Sequence, residues 1–155
     1  MAKEIERKFL IDITGIESMG SGTQIKQGYI STTDNTAVRV RVSGEVAYLT
    51  LKGENKGATR SEFEYEIPIN DADKIIEELC TGPVIDKTRH LVKHETHTWE
   101  IDVFHGDNDG LIVAEVELES EDDVVDLPTW VVSEVTGDVK YYNISLLDNP
   151  FKNWV

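Results

Sequence analysis

Strict two-residue alternation runs through this chain almost from end to end, and it constrains the fold more than any other feature. In "AVRVRV", Val38, Val40 and Val42 share one parity while Arg39 and Arg41 share the other. In "EIERKFL", Glu4, Glu6 and Lys8 alternate with Ile5, Arg7 and Phe9. Ala47, Leu49 and Leu51 alternate with Tyr48, Thr50 and Lys52, and Phe63, Tyr65 and Ile67 with Arg60, Glu62, Glu64 and Glu66. Further on, Trp99, Ile101 and Val103 oppose Glu100 and Asp102, and Ala114, Val116 and Leu118 oppose Glu115, Glu117 and Glu119. Successive side chains of a strand point to opposite faces, so a period of two marks strands with one apolar and one charged face.

Eight strands are expected, over residues 3–12, 23–32, 36–43, 46–53, 60–68, 84–95, 98–105 and 111–120. The turn signals "TTDN", "SGE" and "GDNDG" suit antiparallel hairpins rather than crossover helices. One helix interrupts them, with Asn70 or Asp71 as the cap of "ADKIIEELC" and Gly82-Pro83 as its stop. A short acidic helix is expected over residues 121–126, and a last helix from Asp138 through "KYYNISLL" to Asn149-Pro150. With no repeat or linker, the chain reads as one mainly β (α+β) domain over residues 1–155, a closed barrel or a sandwich.

Parity alone does not say which face is inside. An apolar core under a solvated, charged exterior is one solution. The charge balance favours the other. With 30 acidic against 15 basic residues and a net charge of -15, the surface repels nucleic acids and anionic membranes. Yet Lys8, Arg39, Arg41, Lys52, Arg60, Lys87 and Arg89 all fall in the alternating strands. Turned inward, they would line a barrel and grip a polyanion from several sides.

Other features point to no further chemistry. No apolar run approaches the ~20 residues of a membrane span. Cys80 is the single cysteine, expected as a small buried residue at a helix end, in a chain suited to a reducing cytoplasm. His90, His94, His97 and His105 lack a zinc spacing, and Trp99, Trp130 and Trp154 read as packing residues.

The motif "EIERKF" resembles the ExExK signature of the CYTH domain, the triphosphate tunnel metalloenzymes. The resemblance continues in order through "QGYI", "VRVR", "YLTLKG", "RSEFEYEI", "KTRH", "WEIDVF", "LIVAEVELES" and "EVTGDVKYYN", essentially the whole chain. It implies an eight-stranded antiparallel closed barrel around a hydrophilic tunnel, charged face inward, with flanking helices or the partner of a homodimer over parts of the outside. It also implies that Glu4, Glu6, Glu115 and Glu117 hold a divalent metal. Mg²⁺ and Mn²⁺ suit such hard oxygen ligands. If the first strand meets the last, these four carboxylates converge.

By the same resemblance, Lys8, Arg39, Arg41, Lys52, Lys87 and Arg89 form a phosphate clamp, with Arg60 at a tunnel mouth. Glu62, Glu64 and Lys140 are the candidate catalytic groups: the two acids position water, orient the cations or bind a second metal, and Lys140 reaches in from the C-terminal helix. Glu100 and Asp102 have the same three roles open to them. The expected activity is metal-dependent hydrolysis of inorganic triphosphate or a related small-molecule triphosphate. An adenylate cyclase, a thiamine triphosphatase and a non-catalytic polyphosphate sensor are the rivals.

Overall fold

Nine strands join into one sheet in the computed structural model, which describes residues 3–154. They are β1 (Lys3–Ile11), β2 (Thr23–Ile30), β3 (Ala37–Ser43), β4 (Val46–Lys52), β5 (Thr59–Ile67), β6 (Thr81–His94), β7 (His97–Phe104), β8 (Ile112–Glu117) and β9 (Val131–Glu134). The order is β5-β4-β3-β2-β6-β7-β8-β1-β9, and β1 pairs back onto β5. Eight strands therefore close into an antiparallel barrel, as expected, and β9 is an extra strand.

β1 makes the closure. Along one edge it meets β8, with Glu6 opposite Glu117 and Lys8 opposite Glu115. Along the other edge its first residues meet β5, with Glu4 opposite Arg60. Its last residues then take up β9, Phe9 opposite Glu134. The first strand thus sits between β5 and β8, so Glu4 faces an arginine rather than the acids of β8.

The apolar parity packs outside the ring where something covers it. Phe9, Trp99 and Trp130 stack in series, with centroids 5.2 and 5.3 Å apart. A single helix, α1 (Ile69–Glu78), lays Ala72 on Val40 and Ala47 of β3 and β4. Inside the barrel, Ile85, Phe104 and Val113 continue the parity of the charged residues and cluster with Leu146 from the C-terminal segment. The interior is therefore charged along one part of its length and apolar along the rest.

Local details depart from expectation. α1 takes Pro68 as its N-cap with no side-chain cap bond, so Asn70 and Asp71 lie within the helix. A proline there lacks the N–H that a cap would leave unpaired, and its fixed φ suits the entry. Gly82-Pro83 does not stop α1 but opens β6, where Gly82 adopts φ 76°. Half-buried Cys80 lies so close to β2 that a Cβ on Gly28 would meet its Sγ at 2.9 Å.

Residues 121–126 form no helix. Three successive acids repel one another, and Asp123 instead accepts from the Glu119 N–H at 3.3 Å. The tail is not one helix but three short 3₁₀ turns, Val139–Tyr141, Ile144–Leu147 and Phe151–Asn153. Tyr141, Phe151 and Trp154 fix them by edge-on ring contacts at 5.1–5.2 Å. Among the described residues no helix is long and apolar enough to cross a membrane.

Candidate active site

Inward parity brings the charged side chains of seven strands around one cavity of about 220 Å³. β1 contributes Glu4, Glu6 and Lys8, and β8 contributes Glu115 and Glu117. β3 and β4 supply Arg39, Arg41 and Lys52, and β5 supplies Arg60, Glu62 and Glu64. Lys87 and Arg89 come from β6 and Glu100 from β7. Lys140 and Asp102, both singled out from sequence, are not among the lining residues: Asp102 lies buried behind the lining, and Lys140 turns away. Its Nζ lies 4.0 Å over the Trp154 ring, because the 3₁₀ turn that replaces the expected helix faces it away.

The lining is organised as cations and acids held together. Lys52 donates to Glu4 at 3.0 Å and lies 3.3 Å from Glu62, and Arg60 donates to Glu4 at 3.2 Å. Burial opposes the charge on Glu4, yet Lys52, a hydrogen bond from Glu62 and Arg60 hold its carboxyl at about 2. Glu62 is pushed up to about 7 by burial and by the same bond to Glu4. Arg39 donates to Thr50 at 3.2 Å and to Glu64 at 3.3 Å, and the Thr50 hydroxyl donates to Glu64 at 2.8 Å.

A second group lies deeper. The Asp102 carboxylate, 1% exposed, accepts from Lys87 at 2.8 Å and from two nitrogens of Arg89 at 2.8 and 3.0 Å. Burial pushes Lys87 down to about 7 against the pull of Asp102, with Arg89 and Arg41 pushing the same way. Arg41 falls to about 10 through burial and its neighbours Arg39 and Arg89. Arg89 also donates to Glu100 at 3.1 Å, yet Lys87, Arg89 and Arg41 crowded around two acids are a good receptor for a multiply charged anion. Arg39 adds a direct sign of this, because its buried Nε donates to nothing within the described residues.

The acids fit a divalent cation by the chemistry of their donors. Burial raises Glu6 well above the carboxylate range, and Glu115 and Glu4 push it further. Burial likewise opposes charge on Glu115, but Lys8, a hydrogen bond from Glu6 and Arg89 hold it well below. Two carboxyl groups thus compete over one proton, and a hard cation would relieve that conflict. Glu117 stands exposed at the rim. Among the described residues no three acidic, His or Cys side chains form a cage by themselves. Mg²⁺ and similar ions commonly complete their shells with water and substrate phosphates.

Two polar residues beyond the charged set belong to the site: Gln27, wholly buried behind the lining against Arg41, and Asn143, which lines the cavity. Gln27 shares the inward parity of Tyr29 and Ile25, so its position was readable. Asn143 sits beside a 3₁₀ turn, where no periodicity could announce it.

A CYTH domain family model matches residues 2–146. An inorganic triphosphatase of Acetivibrio thermocellus is 46% identical over 154 residues, 99% of this chain and 99% of that protein. An inorganic triphosphatase of Nitrosomonas europaea is 35% identical over 147 residues, 92% of this chain and 95% of that protein. A solved structure of an inorganic triphosphatase superposes with a TM-score of 0.65 at 33% identity, covering 95% of each chain. A Pyrococcus horikoshii protein, with a TM-score of 0.57 at 20% identity over 76% of this chain and 79% of that one, shares the fold.

Proposed function

The chain belongs to the CYTH domain family, and from that premise we propose that it hydrolyses inorganic triphosphate to pyrophosphate and orthophosphate with Mg²⁺ or Mn²⁺. The observation that carries this reading is the cavity itself. A chain of net charge -15 gathers seven of its cations around about 220 Å³, interleaved with carboxylates. The full-length relatives named inorganic triphosphatase support the same substrate.

Lys8, Arg39, Arg41, Lys52, Lys87 and Arg89 bind the phosphate oxygens. Each charge-assisted contact of this kind contributes about 1.5–3 kcal/mol. Arg60, with 20% of its side chain exposed, receives the anion at the mouth. Glu4, Glu6, Glu115 and Glu117 would hold the cation, which supplies positive charge at the phosphate oxygens and orients the chain. Hydrolysis needs a water oxygen to bond to the terminal phosphorus while the bridging P–O bond breaks. Glu62, which lines the cavity and retains solvent access, positions that water. Glu64 holds Arg39 in place directly and through Thr50. Arg and Lys then stabilise the charge gathering on the departing pyrophosphate, in a cavity preorganised for it.

We propose that this single-domain enzyme works in a reducing cytoplasm, which suits its lone, free Cys80. The test is a side-by-side assay of inorganic triphosphate and ATP with each metal, with products identified. Orthophosphate and pyrophosphate from triphosphate, formed faster than ATP is consumed, is the expected result. Cyclic AMP as the dominant product, with triphosphate untouched, would replace this reading by a cyclase.

A further inference from the structure

We propose that Asn143 is a substrate-binding residue of the tunnel, held in a single amide orientation by the buried side chain of Gln27 so that its Nδ2 hydrogens are offered to a phosphate oxygen. This inference rests on the triphosphate reading above and adds a neutral donor to an otherwise charged clamp.

The orientation follows from one donor that has no alternative. Arg41 Nε can only donate, and it lies 2.8 Å from Gln27 Oε1. That fixes the Gln27 amide, so Nε2 donates to the Tyr29 hydroxyl at 2.8 Å and to Asn143 Oδ1 at 3.2 Å. Lys87 Nζ, a donor in its protonated form, reaches the same Oδ1 at 2.8 Å. Two donors converging on one oxygen leave the Asn143 amide no second way to sit. Its Nδ2 is consequently turned from them, and it meets no acceptor among the described residues. Asn143 lines the cavity and is half-buried, whereas Gln27 is wholly buried.

A neutral donor has a distinct use here. Arg41, Lys87 and Arg89 already crowd one another, and a further cation would add repulsion. An amide N–H contributes a bond to phosphate oxygen without it. The C-terminal segment thereby supplies part of the binding site, beyond the strands.

The first variant is Asn143→Asp. It keeps an oxygen acceptor for Lys87 and Gln27 but replaces the Nδ2 donor by a second carboxylate oxygen. KM for inorganic triphosphate should rise at least tenfold, as should Kd for imidotriphosphate, whose nitrogen bridges resist hydrolysis. The ligand-free melting temperature should hold or rise, because Lys87 gains a counter-ion. The added carboxylate also repels a polyanion by its charge, so unchanged binding of both ligands overturns the inference, while weaker binding supports it only together with the neutral cycle that follows.

A cycle with Lys87→Met covers the case in which the aspartate does not fold. In that background Asn143→Ala should still weaken imidotriphosphate binding at least threefold, and no further loss would likewise overturn the inference. Wild-type protein that binds imidotriphosphate without hydrolysing triphosphate would defeat the catalytic reading alone, leaving Asn143 to be judged on the binding ratios. Wild-type protein that binds neither would defeat both.

Discussion

Lys87 and Asp102 meet at 2.8 Å with each side chain only 1% exposed, and Arg89 closes on the same carboxylate from the other side. Burial disfavours the charge on Lys87 enough to bring it from 10.5 to about 7. Between those values the unfolded chain binds a proton that the folded chain lacks, so this group makes stability rise as pH rises from about 7 toward 10.5. Urea unfolding of the metal-free protein and of Lys87→Met, at pH 7 and pH 9, should show the wild type gaining relative to the variant. The gain is bounded by about 1.4 kcal/mol per pH unit. Parallel pH profiles would refute it.

Asp102→Asn should be costly. It leaves Lys87 buried without its acid and Arg89 with Glu100 alone, a change worth about 3–5 kcal/mol when one partner of a buried pair is removed. Added inorganic triphosphate should restore part of the loss, because its oxygens offer the cations new partners. A variant with the wild-type unfolding midpoint and no response to triphosphate would contradict the central role given to Asp102.

Glu6→Gln keeps the shape of the side chain but deletes one carboxylate from a crowded set in which it faces Glu117 across the β1–β8 pairing. Metal-dependent turnover should be lost while the metal-free melting temperature holds or rises. Full activity with an intact fold would remove Glu6 from the metal site. A large fall in melting temperature would make it structural.

The clamp can be separated from the surface. Arg39→Ala, Arg41→Ala and Lys52→Ala should each raise the apparent KM or lower turnover by roughly 10–150-fold, for contacts of about 1.5–3 kcal/mol. Lys3→Ala, Lys26→Ala and Lys74→Ala remove exposed charges, each worth less than about 1 kcal/mol. Equal effects in steady-state triphosphate assays across the two groups would mean that the inward lysines and arginines do not contact substrate.

Periodicity made the barrel readable because each strand carries its own signal. Val38, Arg39, Val40 and Arg41 declare two faces without reference to any neighbour. It could not show that β1 divides one edge between β5 and β9, since that depends on register between distant strands. β9 escaped notice because "VVSE" is too short to alternate detectably. In the C-terminal tail, "KYYNISLL" has helical composition, but contacts made far away decide its shape: Lys87 and Gln27 capture Asn143, and Tyr141 packs on Trp154. Lys140 was misplaced for the same reason. Its position depends on a chain path that tertiary contacts determine.

The seam at β1 has a consequence for the order of events in the life of the chain. Glu4 finds its partner on β5, whereas Glu6 and Lys8 find theirs on β8, the last strand of the ring. A nascent chain that has emerged only as far as β7 holds every cation of the clamp, yet its first strand still has one edge without its β8 partner. Long-range pairing of this kind is slow to form. The acidic site therefore comes into being at the moment the ring shuts. A cation gripped across β1 and β8 would bind the shut ring in preference to the open one, acting as a clasp on the junction that is made last.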